Sequence, residues 1–174
     1  MSVVPPKHAI PSLTLTPMDE ASAARIQSWR YSGTMARYSF SDDRFERQWL
    51  CHPDHQYYQI RDVLQQLIGF AVIGSHAQPV GAPFHEEADD IMAGIRPDLV
   101  NTRRGYAVCA SVTAYARRTT RLRTLRVSLP SDHRSGLAVW QRAGFFPEYT
   151  FLATDNTPFV VLLTQHIPVA TTQQ

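Results

Sequence analysis

The sequence predicts an α/β fold on one mixed central sheet with flanking helices, in a single domain. Two observations carry that expectation. Short apolar strands and helical runs follow one another in the order β-α-α-β-β-β-α-β-α-β, which a sheet covered by helices accommodates. A chain of 174 residues, 44% hydrophobic and 18% charged, is large enough for one proper core and ordinary for a globular domain. Residues 1–12 and 168–174 are Pro-rich or polar and read as flexible tails, leaving a domain over 13–167. There is no internal repeat.

Each element has a local reason. Leu13-Thr14-Leu15-Thr16 alternates apolar and polar residues as a half-buried strand does, and Pro17 stops it. Asp19 can cap a helix that carries Ala23, Ile26 and Trp29 on one face. Ser41-Asp42-Asp43 can cap a second, short helix bearing Phe45, Trp49 and Leu50. Tyr57–Ile60 and Leu67–Ile73 read as two strands with a short connection, hence an antiparallel pair. Gly74 through Ala88 forms a long loop of Gly, Pro and His, a length often associated with function. Asp90–Ile95 is the next strand, and Gly94 within it suggests a bulge. Tyr106–Thr119 is helical, Leu125–Leu129 a strand, Gly136–Ala143 a helix stopped by Gly144, and Phe159–Leu163 the last strand.

The bulk properties exclude several classes. A net charge of +2 gives no reason to invoke nucleic acid or an anionic membrane. No apolar run approaches the roughly 20 residues that span a bilayer, and the N-terminal residues lack a signal peptide's apolar region. Cys51 and Cys109 form no disulfide framework and read as reduced thiols, so a soluble cytoplasmic protein is expected. His76, His85, Glu86 and Glu87 lack the tight spacing of metal ligands, and a solvated loop is expected there, with no metal.

The chemistry concentrates between Asp90 and Phe145. A strand ending Ile95-Arg96-Pro97 leads into Val-Asn-Thr-Arg-Arg-Gly-Tyr-Ala and then a helix, and a helix N-terminus after such a turn is a ready anion site. A second strand and helix follow, closing with Gly144-Phe145 four residues after Trp140. This order resembles the core of the GCN5-related N-acetyltransferase (GNAT) family. The resemblance in element order spans roughly Leu13 to Leu163, whereas its motifs occupy only Asp90 to Phe145.

That resemblance implies a GNAT-like fold and transfer of an acyl group from acetyl-CoA, as co-substrate, to a primary amine. A bulge near Gly94 would splay the strand and free backbone groups of Ala93 and Ile95 to pair with pantetheine amides. The segment Arg103, Arg104, Gly105, Tyr106 and Ala107 would hold the pyrophosphate. Two registers fit the family's Gln/Arg-x-x-Gly-x-Gly/Ala loop. Without gaps, Asn101 and Gly105 fall on glycine positions and Arg103 on the glycine nearest the pyrophosphate. With two extra residues, Thr102 to Ala107 fits. The ungapped register continues along the helix to Ala116-Arg117 and is preferred. Arg103 or Arg104 could pair with the phosphates.

Trp140 stands where the family usually has a Tyr, the general acid for the departing thiolate, and indole has no proton of suitable acidity. The Asn-x-Arg-Ala that precedes it in the family is His133-Arg134-Ser135-Gly136 here. Asp90 aligns near the family's acidic general base and is the catalytic candidate, its alternative being a solvated charge at a strand start. Among Trp29, Trp49, Tyr38, Phe40, Tyr57 and Tyr58, some would line the acceptor pocket and the rest the core. Arg117, Arg118, Arg121, Arg123 and Arg126 suggest phosphate binding, but no aromatics interleave them, and a polar helix end is the simpler reading. Contact with the 3′-phosphate of CoA is a third possibility. Cys109 is read as packing.

Three functions follow: an N-acetyltransferase in which an amine attacks the thioester directly within a ternary complex; a GNAT-fold module that binds CoA or a partner without turnover; and an Arg-rich nucleic-acid binder, which is disfavoured. The partners expected are acetyl-CoA and a small-molecule or peptide amine, without a membrane. The sequence names neither the amine nor the oligomeric state.

Overall fold

A computed structural model describes residues 12–84 and 87–164. The expected tails lie outside these residues apart from Ser12, as do His85 and Glu86. In chain order the elements are β1 (Thr14–Pro17), α1 (Glu20–Gln27), α2 (Arg44–Cys51), β2 (Tyr57–Arg61), β3 (Leu67–Ile73), β4 (Asp89–Ile95), α3 (Arg104–Thr119), β5 (Leu125–Pro130), α4 (Arg134–Arg142), β6 (Phe145–Leu152) and β7 (Pro158–Thr164). Short 3-10 segments at Gly33–Tyr38, Ser75–Ala77 and Pro97–Leu99 sit in the connections. No helix among the described residues is long and apolar enough to cross a membrane.

The seven strands form one mixed sheet in the order β1-β2-β3-β4-β5-β7-β6. Only β4 and β5 run parallel; the other neighbouring pairs are antiparallel. β6 is a strand that the sequence pattern did not show, because Pro147 and exposed polar residues interrupt its alternation. It is an edge strand with a register shift at Pro147–Tyr149, and an edge tolerates a proline that a central ladder would not.

The caps form as expected. Asp19 accepts the Ser22 N–H at 2.7 Å, and Asp43 accepts that of Phe45 at 2.9 Å. Gly144 adopts φ +96° after α4, the left-handed conformation of a helix stop. Two cores lie on opposite faces of the sheet. Ile91, Val108, Val112, Leu125, Val127, Trp140 and Phe145 pack beneath α3 and α4. Ala23, Ile26, Trp29, Leu50, Phe70 and Val72 pack beneath α1 and α2. β3 is buried along its whole length because both layers use it. Full burial of a side chain such as Ile26 stabilises the fold by about 1.5–3 kcal/mol. Of the apolar residues expected on α2, only Leu50 is buried; Phe45 and Trp49 are 78% and 48% exposed.

Candidate functional site

The site begins with a fork in the sheet. β4 and β5 pair only at Asp89–Leu125 and Asp90–Arg126. Beyond that vertex β4 stays with β3 as far as Gly69–Ile95, while β5 follows β7 as far as Pro130–Phe159. Each strand keeps its outer partner, so the sheet opens between them. Gly74 N–H donates to Asp90 O, and Arg96 N–H to Ile68 O, both at 2.8 Å. Alternation in an antiparallel ladder therefore turns the even-numbered residues of β4 toward β3, and the peptide groups of Ala93 and Ile95 toward the opening. The Tyr31 hydroxyl donates to Ile95 O at 2.6 Å.

The expected bulge at Gly94 is absent. The β3–β4 register runs without a shift, and the divergence of β5 alone creates the opening. Gly94 is required for a different reason. A Cβ there would lie 2.2 Å from Cε1 of Phe70, so the glycine makes a seat for that ring.

The loop after β4 winds through Pro97–Leu99 and Asn101, which adopts φ +61°. A left-handed residue is one that glycine fills readily, which accords with placing Asn101 on a glycine position in the ungapped register. α3 then starts at Arg104, two residues earlier than the periodicity suggested; its N-cap residue Arg103 makes no side-chain cap, while Thr102 Oγ1 accepts the Arg104 N–H at 3.2 Å. Gly105 faces open space: a Cβ there would meet nothing closer than Val139 Cγ2 at 4.0 Å.

A cavity of about 420 Å³ fills the fork. On the α3–α4 side its wall includes Gly105, Val108, Cys109, Gly136, Val139 and Trp140, and Ala93, Gly94 and Ile95 form the edge. On the other side it reaches Tyr31, Met35, Tyr38, Phe40, Phe70 and Met92, with Glu46 and Arg37 as charged residues. The Gly33–Tyr38 segment straps across the open end of the fork: Arg37 pairs with Asp132, and the Tyr38 ring packs at a tilt against His133 with centroids 5.3 Å apart.

The titratable groups of this wall are shaped by burial. It pushes the Tyr31 phenol well above the usual range and the Cys109 thiol to about 12, leaving an inert neutral thiol consistent with packing. His133 is pushed down by burial and then by Arg37, and its Nδ1 accepts the Gly136 N–H at 3.2 Å as the cap of α4. That acceptor role places the neutral ring's proton on Nε2. Among the described residues the buried Tyr38 hydroxyl meets no hydrogen-bond partner, and burial raises its phenol against the opposing pull of the Arg37 guanidinium.

The candidate residues divide. Ala93, Gly94, Ile95, Gly105 and Trp140 line the cavity. Trp140 is 3% exposed and edge-on to Phe145 at 5.0 Å. Asp90 does not line it. Its Oδ1 and Oδ2 accept from Arg126 Nε and Nη2 at 2.7 and 2.8 Å, and Gln78 Nε2 donates to Oδ2 at 2.7 Å. A general base must present an oxygen to its substrate, and this carboxylate presents both to the buried Arg126 guanidinium at the vertex of the fork. Asp89 is no substitute, since it accepts the Leu122 N–H on a connecting turn. Arg104 pairs with Asp62 of the β2–β3 turn at 3.3 Å, Arg103 is exposed, Tyr106 lies under Arg142, and the Ala107 side chain is buried.

The basic run also separates. Arg126 is buried with Asp90 and packs its guanidinium over Phe84 at 3.5 Å, while Arg117 and Arg118 occupy the last turn of α3. Sixteen residues of helix place that turn about 22 Å from the N-terminus at the cavity, which leaves the run no part in holding a phosphate there. Among the described residues no cluster of His, Cys, Asp or Glu could hold a metal; His76 instead packs on Trp49 and His55. Of the aromatics, Tyr38 and Phe40 reach the cavity, whereas Trp29 and Tyr57 join the second core and Tyr58 packs on the first. Tyr31, Glu46 and His133 had no spacing signal that could have assembled them, since they lie far apart in the chain and only the fold brings them to one cavity.

A mixed sheet split between two parallel strands, with a helix N-terminus at the split, is the GNAT fold, and this chain has it. No family model and no curated protein matches the sequence. Solved structures do. Aminoglycoside acetyltransferase AAC(6')-Ib in complex with coenzyme A superposes with a TM-score of 0.71 at 14% identity, covering 88% of this chain and 94% of that one. A GNAT-family acetyltransferase from Bacillus anthracis gives 0.69 at 10% identity, covering 87% and 93%. A chimera of spermidine N-acetyltransferase SpeG from Vibrio cholerae and hSSAT gives 0.65 at 12% identity, covering 87% and 94%.

Proposed function

We propose that this chain is an acyl-CoA-dependent N-acetyltransferase that uses acetyl-CoA and a primary amine. The observation that carries the reading is the cavity at the fork, whose walls come from both faces of the sheet. Two reactants can reach it from opposite sides and meet at β4. The residues present suit the acyl donor: Ala93 and Ile95 offer main-chain groups, the N-cap residue of α3 makes no side-chain cap, and Gly105 leaves room at its first turn. When bound there, acetyl-CoA supplies an activated thioester. The β4 main chain would hold and orient it, and the α3 amides would face its phosphates.

With Asp90 engaged at the vertex, the amine gives up its proton to water. Trp140 offers no acid, so rate must come chiefly from positioning two reactants, which can supply several orders of magnitude. Arg103 stands exposed beside the α3 N-terminus and is the arginine left free of the Asp62 pairing to approach a phosphate. The free thiols Cys51 and Cys109 accord with a cytoplasmic location. A second reading, a CoA-binding module without turnover, is favoured by the buried indole at the acid position.

Acetyl-CoA titration followed by thermal unfolding, then an amine screen for released thiol, tests both. A rise in Tm with thiol release supports the enzyme. A rise without release for any amine supports the module. No shift at millimolar acetyl-CoA removes both.

A further inference from the structure

We infer that the acceptor is an amine with an apolar or aromatic body and a single positive charge, an arylalkylamine in class, rather than a polyamine or an aminoglycoside. This rests on the proposed acyl transfer, which makes the wall opposite α3 the acceptor's wall. Six side chains compose most of it: Tyr31, Met35, Tyr38, Phe40, Phe70 and Met92. Phe40 and Phe70 meet edge to face at 5.4 Å, and Trp29 backs Phe70 at 6.4 Å. Such a surface rewards burial of a ring or alkyl body and has little with which to solvate hydroxyls or ammonium groups.

Charge gives the second half of the argument. Glu46, near the start of α2, is the one carboxylate among the described residues that line the cavity. Ser41 Oγ donates to its Oε2 at 2.6 Å, which fixes the carboxylate and leaves Oε1 for an ammonium. One carboxylate balances one ammonium. A polyamine would bring further charges to a wall whose other charged residue is Arg37, a cation. The ring faces that could hold a second cation are partly taken, since the Arg37 guanidinium lies 5.3 Å from the Tyr38 centroid and His133 packs at a tilt against the same ring. His133 adds no counter-charge, being neutral or cationic. The cleft therefore recognises one ammonium at Glu46 and a body of low polarity among the six side chains.

The test is calorimetric titration of 2-phenylethylamine, spermidine and kanamycin into the protein, free and saturated with CoA, with thiol release measured in parallel. 2-Phenylethylamine should bind at least tenfold tighter than either polycation. Glu46→Gln should weaken it about tenfold, as a charge-assisted contact does. Met35→Glu, which adds a second carboxylate to the wall, should move the preference several-fold toward spermidine. Equal or tighter binding of spermidine or kanamycin, no effect of Glu46→Gln, or no amine binding in either form overturns the inference. The expected binding order without turnover of any amine refutes acyl transfer and leaves the inference standing. Turnover with polycations preferred does the reverse.

Discussion

Replacing Asp90 with Asn separates a structural role from a catalytic one. Asp90 and Arg126 are 5% and 3% exposed, and two hydrogen bonds of 2.7 and 2.8 Å join them where β4 and β5 last pair. The substitution removes the charge but leaves the buried guanidinium, which then faces an amide. Breaking a buried pair from one side costs about 3–5 kcal/mol, because the ion that remains loses its carboxylate partner. In a domain of this size 1 kcal/mol moves Tm by about 2–4 °C, so a fall of roughly 6–20 °C is expected. The double variant Asp90→Leu with Arg126→Met should lose less than the two single changes added together, since an apolar pair leaves no orphaned charge. Circular-dichroism melting reads the stability, and turnover measured well below the transition reads the chemistry. Asp90→Asn should melt early yet keep most of its activity when cold. An unchanged Tm with turnover abolished would refute the clamp and restore Asp90 as a base.

Gly105→Val should fold normally, since outside its own turn of helix the new Cβ would meet, among the described residues, only Val139 Cγ2 at 4.0 Å, but should weaken CoA binding by tenfold or more in calorimetry. Arg123→Ala, beyond the far end of α3, should bind as wild type; equal losses would argue for a general electrostatic attraction instead. Gly94→Ala should destabilise by about 1–3 kcal/mol in urea unfolding as the Phe70 ring is displaced, and Phe70→Leu added to it should recover part of the loss. His133 is held below its ordinary value of 6.5 by burial, so the unfolded chain takes up its proton first as pH falls. Stability from this group is complete above about pH 6.5 and is lost as pH drops below it toward the folded value; Tm of His133→Asn, which retains a capping oxygen, should fall less steeply between about pH 6.5 and 5.

Local chemistry was legible in the chain. Asp19, Asp43 and Gly144 mark helix ends because a cap is satisfied within a few residues, and the apolar run Leu67–Ile73 marks a strand whatever lies beside it. β6 escaped because Pro147 breaks the alternation, and only its place at the sheet edge makes the proline harmless. The order of motifs pointed to Ala93 and Ile95, which edge the cavity, since where a strand ends depends on the run of the chain more than on any one side chain.

What the sequence alone determined, then, is the succession of elements and the segment holding the fork, because both follow from backbone preferences over short spans. The three-dimensional packing, by contrast, sets what each side chain meets. Asp90 looked like a base until Arg126, thirty-six residues on, arrived from the neighbouring strand. Gly94 looked like a bulge until the Phe70 ring crossed from β3 to lie against it. Glu46 and Tyr38 became cleft residues only when the fold brought them to one cavity. A side chain's chemistry is set by the atoms packed against it, and those come from strands and turns that no local pattern of residues can bring together.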